Sequence, residues 1–278
     1  MPPSETNVLV PVDFGEQSLV GLRQSYIYAK FANAVINLLH ILENPADDVQ
    51  KAKEKLDRLA SDVTLESGIK TNTIISKGNP FIEICKVAKD VNAIMIIMGF
   101  NSSMGMRKII GPNTFQLVRE APCPVLTIKG RQPHRDTIGT IILPIDLTKE
   151  SREKVGPGIE FAKYFGSTLR IAGTLTSNDE FKENRIVAYA NQMKNFIKEK
   201  GVRCGNKTLR GRNVPKMIVE YAKESHADLI ILVNQDELGF AEIFTGSEQQ
   251  QVINLSEVPV LTVRPIPKRD TSTFTNPF

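Results

Sequence analysis

Short apolar runs separated by longer amphipathic stretches set the rhythm of this chain. Asn7 to Val12 (NVLVPV) is an apolar run ending at Asp13, the pattern of a strand buried on both faces. Ser18 is placed to cap the helix that follows, which carries Leu22, Tyr26, Ala29 and Ala32 along one face. Val35 to Leu42 (VINLLHIL) predicts a second strand, and Val49, Ala52, Leu56, Leu59 and Val63 then recur at helical spacing up to Gly68. Thr71 to Ser76 predicts a third strand, and Phe81, Ile84, Cys85 and Ala88 a third helix. Ala93 to Met98 (AIMIIM) is apolar enough for a strand covered on both faces. A loop bearing Gly and Ser leads to Gly111, a short helix, and a fifth strand from Val125 to Ile128.

After the polar linker KGRQPHRD the order restarts. Thr140 to Ile145 repeats the first strand, with Asp146 in the place of Asp13 and Ser151 in that of Ser18. Tyr28-Ala29-Lys30-Phe31 returns as Phe161-Ala162-Lys163-Tyr164, and Ala227 to Val233 repeats the fourth strand. GPNTFQLVREAPCPVLTIK from Gly111 returns from Gly246 as GSEQQQVINLSEVPVLTVR, and the offsets drift only from 133 to 135 residues. Such order at near-constant spacing marks a duplication. The expected domains are 1–130 and 139–266, with a loose tail over 267–278.

Strands alternating with helices define an α/β fold, a parallel sheet with helices on both faces. Ligands of such sheets bind beyond the C-terminal strand ends, where strand order reverses. Asp13, Ile41 and Gly99 fall at such ends in the first copy, and Asp146, Thr174 and Val233 in the second.

Composition narrows the function classes. At 41% hydrophobic and 24% charged residues the chain has the make-up of a water-soluble globular protein. No apolar run approaches the ~20 residues of a membrane helix. The opening MPPSETN has neither a basic region nor an apolar core, so the expectation is a cytoplasmic protein without membrane contact. Three cysteines without a C-x-x-C argue against a disulfide framework or a zinc site; Cys85 reads as a small core residue, Cys123 and Cys204 as incidental. The net charge of +4 is mild, acids and bases alternate along the helices, and Trp is absent, which argues against nucleic acid as a partner.

These residues resemble the universal stress protein family in its tandem form. NVLVPVDFGEQS is similar to the family's first strand with its acidic end, and LLHIL to its second strand. MGFNSSMG followed by GPNTFQLVREAPCPVLTIK is similar to its glycine loop, last helix and final strand. The resemblance implies two repeated Rossmann-like domains, each a five-stranded parallel sheet flanked by helices, packed as a pseudo-twofold pair. It also implies a stress-related regulatory or protective role, with ATP or another adenine nucleotide as ligand and Mg2+ solely as its counter-ion. By position, Asp13 would serve the ribose or base edge and Ile41 and Met98 the adenine. Gly99, Ser102, Gly111, Asn113 and Thr114 would surround the phosphates, where small residues and a helix N-terminus favour anions.

The first half departs from the pattern. Ser102 stands at the second glycine, the next spacer is one residue short, and Pro112 removes an N–H. Arg107 and Lys108 stand nearby as compensating charge. The second half keeps Asp146, Gly246 and Ser247, yet Val233 replaces the first glycine, and Asp236 and Glu237 put negative charge where phosphates would sit. The expectation is an adenine nucleotide (ATP, ADP or AMP) in the first half, its binding impaired by these departures, with the second site degenerate.

Blander readings stand beside these. Asp13 fits a ligand residue and a loop cap equally, whereas Asp146 reads as a turn residue. His40, without a second His or an acid at catalytic or metal spacing, reads as structural, and His134 and His226 as surface residues. Gly111 and Gly246 most simply start helices. An interaction scaffold without nucleotide is the alternative function. A slow ATP hydrolase comes third, because no water-positioning group or metal site is apparent. As for partners, the resemblance implies pairing of strands 125–128 and 260–263 within one chain; the same strands could instead build a homo-oligomer, since an unpaired edge is a liability.

Overall fold

The computed structural model describes residues 5–44, 46–100, 112–133, 136–147, 155–176, 179–233 and 246–263, with the backbone alone for Phe100, 112–115, 246 and 247. In the first half β1 (Thr6–Pro11), β2 (Ala34–Leu42), β3 (Thr71–Lys77), β4 (Ala93–Phe100) and β5 (Val125–Lys129) alternate with α1 (Glu16–Ala32), α2 (Val49–Ser67), α3 (Pro80–Asp90) and α4 (Pro112–Glu120). The second half repeats this with β6 (Thr140–Ile145), β7 (Thr168–Leu175), β8 (Cys204–Arg210), β9 (Leu229–Val233) and β10 (Val260–Val263). Its helices are α5 (Val155–Phe165), α6 (Glu180–Glu199), α7 (Val214–Glu224) and α8 (Gly246–Leu255).

Helix starts follow local chemistry, and the two halves use the same devices. Asp48 accepts from the Lys51 N–H ahead of α2, and Asp179 from the Phe181 N–H ahead of α6. Asn79 caps α3 and Asn213 caps α7, each with a proline in the first turn. At α1 the expected cap is displaced. The N-cap is Gly15, and Ser18 lies inside the first turn. Its Oγ donates to the Gly15 carbonyl (3.0 Å) and accepts the Asp13 N–H (3.3 Å), so it ties the β1–α1 loop down from within the helix.

All ten strands form one sheet in the order β3-β2-β1-β4-β5-β10-β9-β6-β7-β8. Within each half the strands are parallel, and the halves join through the antiparallel pair β5–β10. Leu126 lies opposite Leu261, and these two are repeat equivalents, so a pseudo-twofold axis passes beside them. The pairing of 125–128 with 260–263 is thus within one chain. Thr127 Oγ1 donates to the Val260 carbonyl (3.1 Å), and Lys129 Nζ to the Asn254 carbonyl (2.5 Å). On one face, Phe31 meets its repeat equivalent Tyr164 (ring centroids 5.1 Å apart) and Phe165 (4.4 Å).

The apolar runs are explained by cover on both sides. Val8, Val10, Met95, Ile97, Leu126 and Leu261 pack on the side of α1, α2, α5 and α6. Leu9, Leu39, Ile96, Met98, Val125 and Val260 pack on the side of α3, α4, α7 and α8. Each such side chain contributes about 1.5–3 kcal/mol on burial.

Candidate functional site

Strand order reverses between β1 and β4, which places the first half's crevice at their C-terminal ends. Asp13 follows β1 and is exposed; its Oδ1 accepts the Gly15 N–H at 2.8 Å. The capping reading of this carboxylate is therefore realised, and its exposure leaves it open to a ligand as well. Phe14 turns left-handed (φ 61°), a costly conformation for a side-chain-bearing residue. The turn delivers its ring to the His40 imidazole (4.6 Å) and brings the Lys55 ammonium over it (4.1 Å). His40 Nδ1 lies 2.8 Å from the Val12 carbonyl; a carbonyl can only accept, so Nδ1 carries the proton and His40 is a strut between β1 and β2.

Ile41 is half-buried and Met98 fully buried, and both pack with the core on the α3/α4 side. The two residues assigned to the adenine therefore share a side of the sheet. Gly99 is a strand residue, opposite Ile128 in β5, where the sequence suggested that the strand ends at Met98. A Cβ on Gly99 would stand 1.7 Å from the Gln17 carbonyl oxygen, and one on Gly21 would stand 2.2 Å from the Gly99 nitrogen. Two glycines thus let α1 ride directly on the β4 backbone. Ser102 and Gly111 lie outside the described residues, as do Arg107, Lys108, Asp236 and Glu237. Asn113, Thr114 and Ser247 sit in the first turns of α4 and α8, with Gly246 opening α8 and Pro112 opening α4.

The second half builds its crevice between β6 and β9 from different material. Asp146 is 1% exposed, against an exposed Asp13. Thr174 donates to the Ile145 carbonyl (3.3 Å), and Val233 is buried where the first half has Gly99. Gln249 of α8, also buried, donates from Nε2 to the Val233 carbonyl at 2.5 Å. A side-chain amide thus stands against the strand end, in a place where an incoming ligand would need room. After β6, Leu147 lines a cavity of about 260 Å3 with Arg185 and Tyr189 of α6. The Gly21–Gly99 contact, the Phe14–His40–Lys55 group and Gln249 were not singled out from sequence; Gly21, a glycine inside a helical pattern, was the one available hint.

Among the described residues no cluster of three or more His, Cys, Asp or Glu is arranged to hold a metal, and no helix is long and apolar enough to cross a membrane.

The fold defines a tandem α/β protein whose two doubly wound halves share one ten-stranded sheet. The universal stress protein family matches residues 5–129 and 137–264, and the chain belongs to that family. A universal stress protein of Archaeoglobus fulgidus has the same architecture, with a TM-score of 0.75 at 20% identity over 95% of this chain and 97% of its own. A universal stress protein of Synechocystis is 28% identical over 131 residues, 44% of this chain and 83% of its own length. One from Methanocaldococcus jannaschii is 24% identical over 154 residues, 45% of this chain and 94% of its own. Each of these two curated relatives is matched by less than half of the chain.

Proposed function

We propose that this chain is a stress-related regulatory or protective protein that binds an adenine nucleotide in its first half, the second half having lost the site. The observation that carries this reading is the contrast at one repeat position: an exposed Asp13 beside the β1–β4 reversal, and a buried Asp146 at its counterpart. One solved universal stress protein is in complex with cAMP. Asp13 would accept from ribose hydroxyls while keeping Gly15 on Oδ1, with Ile41 toward the base. The backbone at the start of α4 would face the phosphates, with Mg2+ accompanying them as a counter-ion.

The test is made on the purified chain. The protein is denatured, released nucleotide is identified by chromatography and mass spectrometry, and ATP, ADP and AMP are titrated calorimetrically. About one nucleotide per chain is expected, and Asp13→Ala should weaken binding ~10- to 100-fold, the loss of a hydrogen bond to a charged group. No nucleotide released and no heat with any of the three would end this reading.

One observation favours a second reading, an interaction scaffold without nucleotide. The approach of α1 to Gly99 accounts for that glycine without any phosphate. The same titrations separate the two. Hydrolysis would require metal-dependent turnover abolished by Asp13→Ala.

A further inference from the structure

A cavity of about 390 Å3 opens between α1, the C-terminal end of α2 and the linker that joins the halves. Its volume is that of a small-molecule site. From α1 it takes Arg23, Ile27 and Lys30, which recur along one stripe of the helix, with Phe31 beside them. Ile27 is buried, and Phe31 is braced by Tyr164 and Phe165 of α5. The linker wall is tied down. Gln24 Nε2 donates to the Pro133 carbonyl at 3.0 Å, and Gln132 Nε2 lies 2.7 Å from both the Lys129 and the Glu257 carbonyls.

Four charged side chains stand among the described lining residues, Arg23, Lys30, Glu66 and Asp136, and they are not equivalent. Glu66 Oε2 accepts the Tyr26 hydroxyl at 3.2 Å. Burial, and after it the Glu66 charge, push the pKa of that hydroxyl up, so it keeps its proton and remains a donor. Asp136 is engaged as well. Arg23 and Lys30, by contrast, make no hydrogen bond or ion pair with a described residue. The unmet charge of the cavity is therefore positive. Seven residues of helix set these two cations about 10 Å apart along the axis, with Ile27 between them.

The second half does not repeat this arrangement. Arg23, Gln24 and Ile27 have Gly156, Pro157 and Glu160 as their repeat equivalents, a glycine, a proline and an acid. The stripe of two cations around an apolar residue belongs to the first half. We propose that this cavity binds a small dicarboxylate with an apolar or aromatic body. One acid group takes the Arg23 guanidinium, which can hold a carboxylate through two parallel bonds, and the other takes the Lys30 ammonium. The body lies toward Ile27 and Phe31. Because Gln132 lines the same cavity, the bound acid also ties the linker to α1. The nucleotide reading plays no part in this inference.

The test titrates terephthalate into the 15N-labelled full chain and follows its amide resonances. Inorganic phosphate serves as the control for charge alone and terephthalamide as that for the body alone. Terephthalate should shift the Ile27, Phe31 and Gln132 amides saturably, with a Kd of about 1 mM or below, and each control should bind at least ~10-fold more weakly. Arg23→Gln and Lys30→Gln, both at exposed positions, should leave the far-ultraviolet circular dichroism unchanged and each weaken terephthalate ~10-fold. Asp13→Ala should leave its affinity unchanged, which separates this site from the nucleotide crevice. The absence of a saturable shift at these amides would overturn the proposal, as would unchanged affinity in either glutamine variant. So would a control that binds as tightly as terephthalate, or an affinity that falls with Asp13→Ala.

Discussion

At the end of β1 the Asp13 carboxylate is exposed and turned back to Gly15, whereas at the end of β6 its counterpart Asp146 is 1% exposed. On the neighbouring strands the contrast runs the same way. β4 carries Gly99 one residue before its end, stripped to backbone so that α1 can lie on it, while β9 ends on Val233, whose side chain is buried and whose carbonyl is taken by Gln249. In the first half a glycine and an exposed acid sit at the strand ends; in the second, buried side chains take the same positions and add to the core. Duplication has allowed these two solutions to coexist in one sheet.

Substitutions can break this comparison or sharpen it. The largest effect is expected at the helix contact between the halves: Phe165→Ala should cost about 3–5 kcal/mol in denaturant unfolding, since the ring is lost from an aromatic cluster. Gly99→Val, which makes the first half resemble the second, should cost about 3 kcal/mol, because the branched side chain would meet the Gln17 carbonyl and push α1 off the sheet. A Gly99→Val protein of unchanged stability would mean that α1 does not ride on the strand. Asp146→Ala should cost about 2 kcal/mol and Asp13→Ala no more than about 1 kcal/mol, since hydrogen-bonding partners stranded in the interior are costlier than those that water can reach. Equal costs would erase the distinction between the two strand ends.

A further effect is a pH dependence from Cys204 in the second half. Burial pushes the Cys204 thiol up from its ordinary value near 9 to about 11. The folded state thus holds that proton more tightly than the unfolded chain does. The associated stability is complete below about 9 and is lost as pH rises through about 11. In thiol-labelling kinetics at pH 8, Cys204 should form the slowest of three phases, and Cys204→Ala should remove that phase.

Much of this was legible in the sequence because it is local or periodic. Apolar runs gave the strands and the repeat gave the two halves, while the joining of β5 to β10 followed from the family resemblance. What escaped depends on contacts between distant segments. Gly99 reads as a loop glycine from MGFNSS, yet its need for a bare backbone comes from Gln17 and Gly21, which topology alone brings near. Ser18 has the chemistry of a cap, but the backbone turns helical at Glu16, so the hydroxyl works from inside the helix. Asp13 and Asp146 are the same letter in the same motif; the cover that separates them comes from other parts of the fold. The eight remaining candidate positions divide in the same way: Ile41 and Met98 come together on one side of the sheet, whereas Ser102 and Gly111 lie outside the described residues and Asn113, Thr114, Gly246 and Ser247 are known by backbone alone.

The β5–β10 junction has a consequence for stoichiometry. If two separate chains met at such a strand pair, their association would weaken on dilution, and unlike partners would have to find each other among like ones. Here a linker of about ten residues holds the strands together at an effective concentration in the millimolar range or above. Every molecule therefore contains one half of each kind at any dilution. The linked halves need never compete with self-pairing, which leaves each free to drift without spoiling the other's seam.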